Sequence, residues 1–62
     1  MKYRELESRL RKIKCFDSGE ENRGNPLWYS PKTGKYFQLS HHKSQEVAPG
    51  TLNKIMKMAG LK

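Results

Sequence analysis

The fold is decided by the last third of the chain, which reads His41-His42-Lys43-Ser44-Gln45-Glu46-Val47-Ala48-Pro49-Gly50-Thr51-Leu52-Asn53-Lys54-Ile55-Met56-Lys57-Met58-Ala59-Gly60-Leu61. After a polar loop, apolar side chains recur at the spacing of one helical face: Leu52, Ile55, Met56 and Ala59. This pattern predicts a short amphipathic helix. We expect Thr51 to cap its first turn and Gly60 to end it in the left-handed conformation, with Leu61 reaching back toward Met56.

The start of the chain carries a second amphipathic pattern, which predicts a helix over residues 2–14. Its apolar side chains follow spacings of three, four and three residues: Tyr3, Leu6, Leu10 and Ile13. Basic residues crowd its C-terminal half, where cations suit the helix dipole: Arg9, Arg11, Lys12 and Lys14. These side chains form either a solvated face or a stripe that contacts phosphates.

The middle of the chain predicts three strands. Residues 16–23 favour a short, irregular edge strand, because only Phe16 is clearly apolar and Gly19 weakens strand pairing. Residues 27–30 and 35–40 are rich in aromatic and branched side chains and flank the turn at 31–34, which predicts a β-hairpin. We expect Trp28 to point inward as the largest apolar surface available. An outward Trp28 would instead stack on RNA bases, for which outward Tyr29 and Tyr36 are better candidates.

The order helix, three strands, helix predicts an α+β fold, with both helices on one face of a three-stranded antiparallel sheet. The 62 residues form one domain, near the lower limit for a hydrophobic core. The predicted core contains Leu6, Leu10, Ile13, Phe37, Leu39, Leu52, Ile55 and Met56. So small a domain has no room for an internal active-site cavity, and any chemistry is expected on an exposed surface.

Thirteen Lys and Arg against six Asp and Glu give a net charge of +7, which indicates a polyanionic partner. RNA, DNA, an acidic membrane and an acidic protein all fit this charge. The expected phosphate contacts are Arg9, Arg11, Lys12, Lys35 and Lys43. The apolar runs are too short to cross a bilayer, and the N-terminus lacks the apolar segment of a signal peptide, which favours a cytoplasmic protein.

The single cysteine, Cys15, suits a reducing compartment and excludes a zinc site built from several cysteines. We interpret it as a small buried side chain after the first helix. No metal ion or other cofactor is predicted.

Several short pieces together resemble the HicA toxins of bacterial HicA-HicB toxin-antitoxin pairs. They are the opening residues 2–6, the hairpin at 29–35, His42, and residues 49–61 from Pro49-Gly50-Thr51-Leu52 to Ala59-Gly60-Leu61. No single piece is specific, but their order and spacing are, and they span nearly the whole chain. The resemblance implies a fold like that of double-stranded-RNA-binding domains, metal-independent cleavage of mRNA, and inhibition by a HicB antitoxin. We expect the chain alone to be a monomer.

The catalytic histidine of the HicA family lies on the second strand, a few residues before the hairpin proline. Counting back from Pro31 puts this position at Asn25, and no histidine is present there. Asparagine can orient RNA by hydrogen bonding but cannot transfer a proton near neutral pH. Three interpretations stay open: an inactive toxin, a toxin that uses His41 or His42, and a relative that only binds.

His41 and His42 are the only histidines of the chain. Histidine titrates in the range that general acid-base cleavage of RNA requires. As adjacent residues of a polar loop, they are better explained as solvated side chains or contacts to a partner than as catalytic groups. Two non-catalytic hypotheses therefore stand beside the toxin: a small RNA-binding module, and a DNA-binding protein whose basic helix contacts duplex phosphates.

Overall fold

A computed structural model describes residues 1–61 and contains two helices and one sheet. The elements follow the predicted order: α1 (Tyr3–Lys12), β1 (Phe16–Asn22), β2 (Asn25–Ser30), β3 (Lys35–Gln38) and α2 (Pro49–Ala59). The three strands pair in the antiparallel order β1-β2-β3. The predicted α+β class and the α-β-β-β-α order are confirmed.

β1 is the irregular edge strand that the sequence predicted. Its register with β2 shifts between Asp17 and Glu20, where Gly19 adopts a φ of +85°. The Gly19 amide donates to Asp17 Oδ1 at 2.9 Å, which satisfies a backbone donor at the irregularity. β1 then joins β2 through Arg23 and Gly24, both with positive φ, as a tight hairpin between right-twisted strands requires.

The core lies between the two helices and one face of the sheet. Trp28 is 2 % exposed, so the prediction that it points inward is confirmed. Cys15 is buried, as interpreted from the sequence. The buried set also includes Leu6, Leu10, Phe37, Leu39, Val47, Ile55 and Ala59. Of the predicted core residues, Ile13 and Leu52 pack only at its margin, and Met56 is half-buried, while Met58 packs against the core.

The prediction that Thr51 caps α2 is wrong. The N-cap is Ala48, in an extended conformation, and Pro49 is the first helical residue. Proline suits that position, because its fixed φ is helical and its missing N–H has no partner to lose. The predicted end is confirmed: Gly60 adopts a φ of +85°, and the Leu61 amide donates to the Met56 carbonyl at 2.9 Å.

The long loop before α2 is tied to the start of α1. The amide of Tyr3 donates to the carbonyl of Gln45, and the amide of Arg4 donates to the carbonyl of Lys43, each at 3.0 Å. Lys2 and Glu46 form an isolated antiparallel bridge. These bonds hold the histidine-containing loop beside α1. Within residues 1–61, neither helix is long and apolar enough to cross a bilayer.

Candidate nucleic-acid interface

Two of the predicted phosphate contacts, Arg11 and Lys43, meet at one carboxylate. Glu7 is only 7 % exposed, and its Oε1 lies 3.7 Å from Arg11 Nη2 and 3.5 Å from Lys43 Nζ. One helical turn separates Glu7 from Arg11, and the loop anchored to α1 brings Lys43 to them. The Arg11 guanidinium also lies over the Trp28 ring, 5.3 Å from its centroid.

These residues line a groove, here named the Arg11 groove, whose other walls include Asp17, Glu21 and His41. Its lining therefore contains three carboxylates and two permanent cations. Glu21 of β1 shares this groove with Arg11 of α1, which weakens the attraction of the groove for phosphate.

His41 and His42 are adjacent residues of the loop before α2. Both are exposed, their ring centroids are 4.2 Å apart, and the His42 amide donates to Ser40 Oγ at 3.1 Å. Of the two, His41 lines the Arg11 groove. The exposed His41 imidazole is therefore accessible to a molecule bound in this groove.

Asn25 lies in a different groove, here named the Asn25 groove, of about 600 Å³ beside β3 and α2. Its polar lining includes Asn22, Gln38 and Lys54, and the Asn22 side-chain amide donates to Gln38 Oε1 at 3.1 Å. Tyr36 forms part of its wall. None of the described residues that line it is an Asp or Glu. Amides can donate to and accept from base edges, so this groove is chemically suited to nucleotides.

The candidate catalytic residues are thus not brought into one site. Asn25 faces the Asn25 groove, His41 faces the Arg11 groove, and Ser40 lines both. The Leu39 amide donates to the Pro26 carbonyl at 3.0 Å. Leu39 lines the Asn25 groove and Pro26 lines the Arg11 groove, so this hydrogen bond holds the two grooves next to each other.

The remaining predicted phosphate contacts lie elsewhere. Arg9 and Lys12 flank Ile13 and Leu61 on another side of α1, where Arg9 Nη2 is 3.5 Å from Glu5 Oε2. Lys35 begins β3 opposite Ser30, next to the hairpin turn. Only Arg11 and Lys43 among the five form a cluster.

Of the lysines at the junction of the hairpin and α2, the sequence predicted Lys35 as a phosphate contact but not Lys32, Lys54 or Lys57. The turn packs on the end of α2, because Thr33 Oγ1 donates to the Met58 carbonyl at 2.6 Å and the Lys32 side chain lies beside Gly60. We name the exposed lysines of these elements the hairpin-α2 cation surface: Lys32, Lys35, Lys54 and Lys57. A signal was present, since residues 31–62 hold six Lys and a single carboxylate, Glu46.

Comparison with protein-family models, with proteins of described function and with solved structures finds no match to this chain.

The two grooves differ in what they can do. The Asn25 groove can hold polar, base-like groups next to a lysine, but the described residues of its lining include no imidazole or carboxylate to move a proton. The Arg11 groove contains His41, but its three carboxylates outnumber its two permanent cations. The residue types suited to nucleotide binding and those suited to proton transfer thus lie on different surfaces.

Proposed function

We propose that this protein is a HicA-like toxin of a bacterial toxin-antitoxin pair, which binds mRNA in the cytoplasm and is neutralised by a HicB-like antitoxin. The observation that carries the proposal is the hairpin-α2 cation surface beside the Asn25 groove, whose described lining is free of carboxylates. The α-β-β-β-α order supports it, because this is the order that the resemblance to HicA toxins implies.

In this proposal phosphates contact Lys32, Lys35, Lys54 and Lys57, while bases meet the amides of the Asn25 groove. Arg9 and Lys12 provide further positive charge along α1. Arg11 and Lys43 contribute less, because Glu7 neutralises part of their charge before RNA arrives.

Cleavage is the part of the HicA activity that the residues support least. Asn25 occupies the position of the family histidine and cannot act as a general acid or base. We therefore propose that the chain binds RNA well and cuts it poorly. The second candidate function, a non-catalytic RNA-binding module, is favoured by the same asparagine.

The proposed function is tested by inducing the protein in a bacterial host with and without the adjacent gene, while growth and bulk mRNA integrity are followed. A toxin should arrest growth or degrade mRNA, and a HicB-like neighbour should relieve both effects. Unchanged growth together with RNA binding in vitro would support the binding-only module.

RNA binding itself is tested by salt titration. Affinity should fall steeply with salt, and the slope of log K against log salt should shrink by about one for each phosphate-contacting lysine removed. We expect Lys54→Gln and Lys57→Gln to reduce the slope and the matched variants Arg11→Gln and Lys43→Gln to reduce it less. A salt-independent affinity would contradict the proposal, and preference for duplex DNA would favour the DNA-binding hypothesis.

A further inference from the structure

Three aromatic rings form a row across the sheet on the face opposite the core. The strand register places Phe16 of β1 opposite Tyr29 of β2, and Tyr29 opposite Tyr36 of β3. Ring centroids are 5.7 Å apart for Phe16 and Tyr29 and 4.8 Å apart for Tyr29 and Tyr36, with interplanar angles of 56° and 53°. The row therefore spans all three strands without a gap.

The row is open to solvent. Phe16 and Tyr36 are each 50 % exposed, and Tyr29 between them is half-buried. Both helices pack on the other face, where Trp28 and Phe37 are buried. The chain has six aromatic residues, and placing three of them on the solvent side leaves apolar surface out of a core that is already small. Cross-strand ring pairs stabilise a sheet, but burying the same rings would stabilise it more.

The surroundings of the row indicate what covers it. Tyr36 also lines the Asn25 groove together with Lys54 and the amides of Asn25 and Gln38, so the row continues into a surface with one positive charge and no carboxylate in its described lining. A net charge of +7 favours a polyanion over an uncharged or basic partner. Unpaired nucleotides combine this negative charge with flat faces that stack on aromatic rings.

We propose that Phe16, Tyr29 and Tyr36 form a stacking platform for the unpaired bases of single-stranded RNA. This inference rests on the proposed RNA binding and adds its substrate class: the platform selects single strands, because the bases of a duplex hide their faces in the helix. Phosphates of the stacked nucleotides run toward Lys54, and the amides of the Asn25 groove meet the base edges next to Tyr36.

The test measures fluorescence anisotropy with a labelled RNA of about 12 nucleotides without self-complementarity, and with the same strand annealed to its complement. Phe16→Leu and Tyr36→Leu remove a ring and keep an apolar side chain, while Phe16→Tyr and Tyr36→Phe keep the ring as matched controls. Each leucine variant should bind the single strand roughly 5- to 100-fold more weakly, and the ring-keeping variants should bind like the unchanged protein.

Two further readouts separate stacking from charge and from unfolding. The salt slope should be unchanged in the leucine variants, because they remove no cation, whereas Lys54→Gln should lower it. In the unchanged protein, ring-proton NMR signals of Phe16 and Tyr36 should move on RNA addition while those of buried Trp28 stay in place. The NMR measurement tests the stacking platform even if a leucine variant fails to fold.

The possible negative results distinguish a failure of the proposed RNA binding from a failure of the stacking platform alone. If the unchanged protein binds no RNA, both the proposed function and the platform are wrong. If it binds with the expected salt slope but the leucine variants bind equally well and the ring signals do not move, the platform alone is overturned and this face is free for a protein partner. Equal affinity for single strand and duplex would also overturn it.

Discussion

At the scale of single residues, a buried serine joins α2 to the sheet. Ser30 is fully buried at the end of β2, and its hydroxyl donates to the Ala59 carbonyl at 2.6 Å. The Cys15 thiol lies 4.0 Å from the same oxygen, a much weaker contact. The Ala59 carbonyl in the last turn of α2 thus has a hydrogen-bond donor inside the core, where water cannot supply one.

Ser30→Ala should destabilise the fold by about 1 to 3 kcal/mol, because it leaves the Ala59 carbonyl buried without a strong donor. Urea unfolding followed by circular dichroism measures the change, with Ser8→Ala at an exposed helix position as the control. Equal midpoints for the two variants would show that the hydroxyl contributes nothing to stability.

The pKa of Glu46 predicts that the folding stability depends on pH in the acid range. The N-terminal ammonium donates to Glu46 Oε2 at 2.9 Å, and this hydrogen bond with its charge lowers the pKa of Glu46 below its ordinary value. A carboxylate with a lowered folded-state pKa stabilises the fold above its unfolded pKa, about 4.3, and loses this contribution as pH falls through the folded pKa. Glu46→Gln should therefore be less stable than the unchanged protein near neutral pH.

The two proteins should converge in stability once the pH drops below the lowered pKa. Urea midpoints across the acid range check this, with Glu20→Gln, another exposed carboxylate, as the control. A difference that persists unchanged in acid would assign the effect to the altered side chain and not to its charge.

At the scale of elements, the sequence predicted what depends on periodicity and turn chemistry. Both helices, the 31–34 turn and the left-handed Gly60 follow from local residue types, and all are present. The start of β2 at Asn25 was missed, because Arg23-Gly24 as a tight turn requires an arginine at positive φ, which is uncommon. The cap of α2 was missed because Thr51 is a typical capping residue and the apolar periodicity begins only at Leu52, whereas the helix begins at Pro49, whose fixed φ is helical.

The corrected start of α2 leads to a prediction. Thr51 lies inside the helix and is exposed, so Thr51→Ala should change stability by less than about 0.5 kcal/mol, whereas loss of a capping side chain costs about 1 kcal/mol. Ile55→Ala should cost about 2 to 4 kcal/mol, because Ile55 is 3 % exposed in the core. Thermal or urea unfolding compares them, and a larger loss for Thr51→Ala would restore Thr51 as the cap.

For the molecule as a whole, net charge can be counted from the residues, but the distribution of that charge depends on tertiary packing. The basic residues of α1 were consistent with either a solvated face or a phosphate-binding stripe, and in the structure Arg9 pairs with Glu5 and Arg11 with Glu7. The hairpin turn packs on the end of α2, so Lys32 and Lys57 lie on neighbouring elements. This contact is tertiary and does not follow from a local sequence pattern. The separation of Asn25 from His41 into two grooves likewise depends on which side of the sheet each faces.

The separation of Asn25 from His41 means that catalysis could use only one of the two grooves. If cleavage follows the HicA pattern, the missing function is proton transfer in the Asn25 groove, where Lys54 and the amides already offer contacts for the substrate. The described lining holds no carboxylate that would raise the pKa of an imidazole placed there, so a histidine at position 25 would be largely neutral near pH 7. It could then act as a general base.

Asn25→His should raise metal-independent RNA cleavage by about 10²- to 10⁴-fold while RNA affinity changes little, because binding depends on lysines that the substitution leaves in place. Single-turnover cleavage of a labelled RNA across pH 5 to 8 should show one imidazole titration. Asn22→His, at the paired position of β1 in the same groove, is the matched control and should cleave less. Efficient cleavage by the unchanged chain, abolished by His41→Ala or His42→Ala and insensitive to residue 25, would instead assign catalysis to the Arg11 groove.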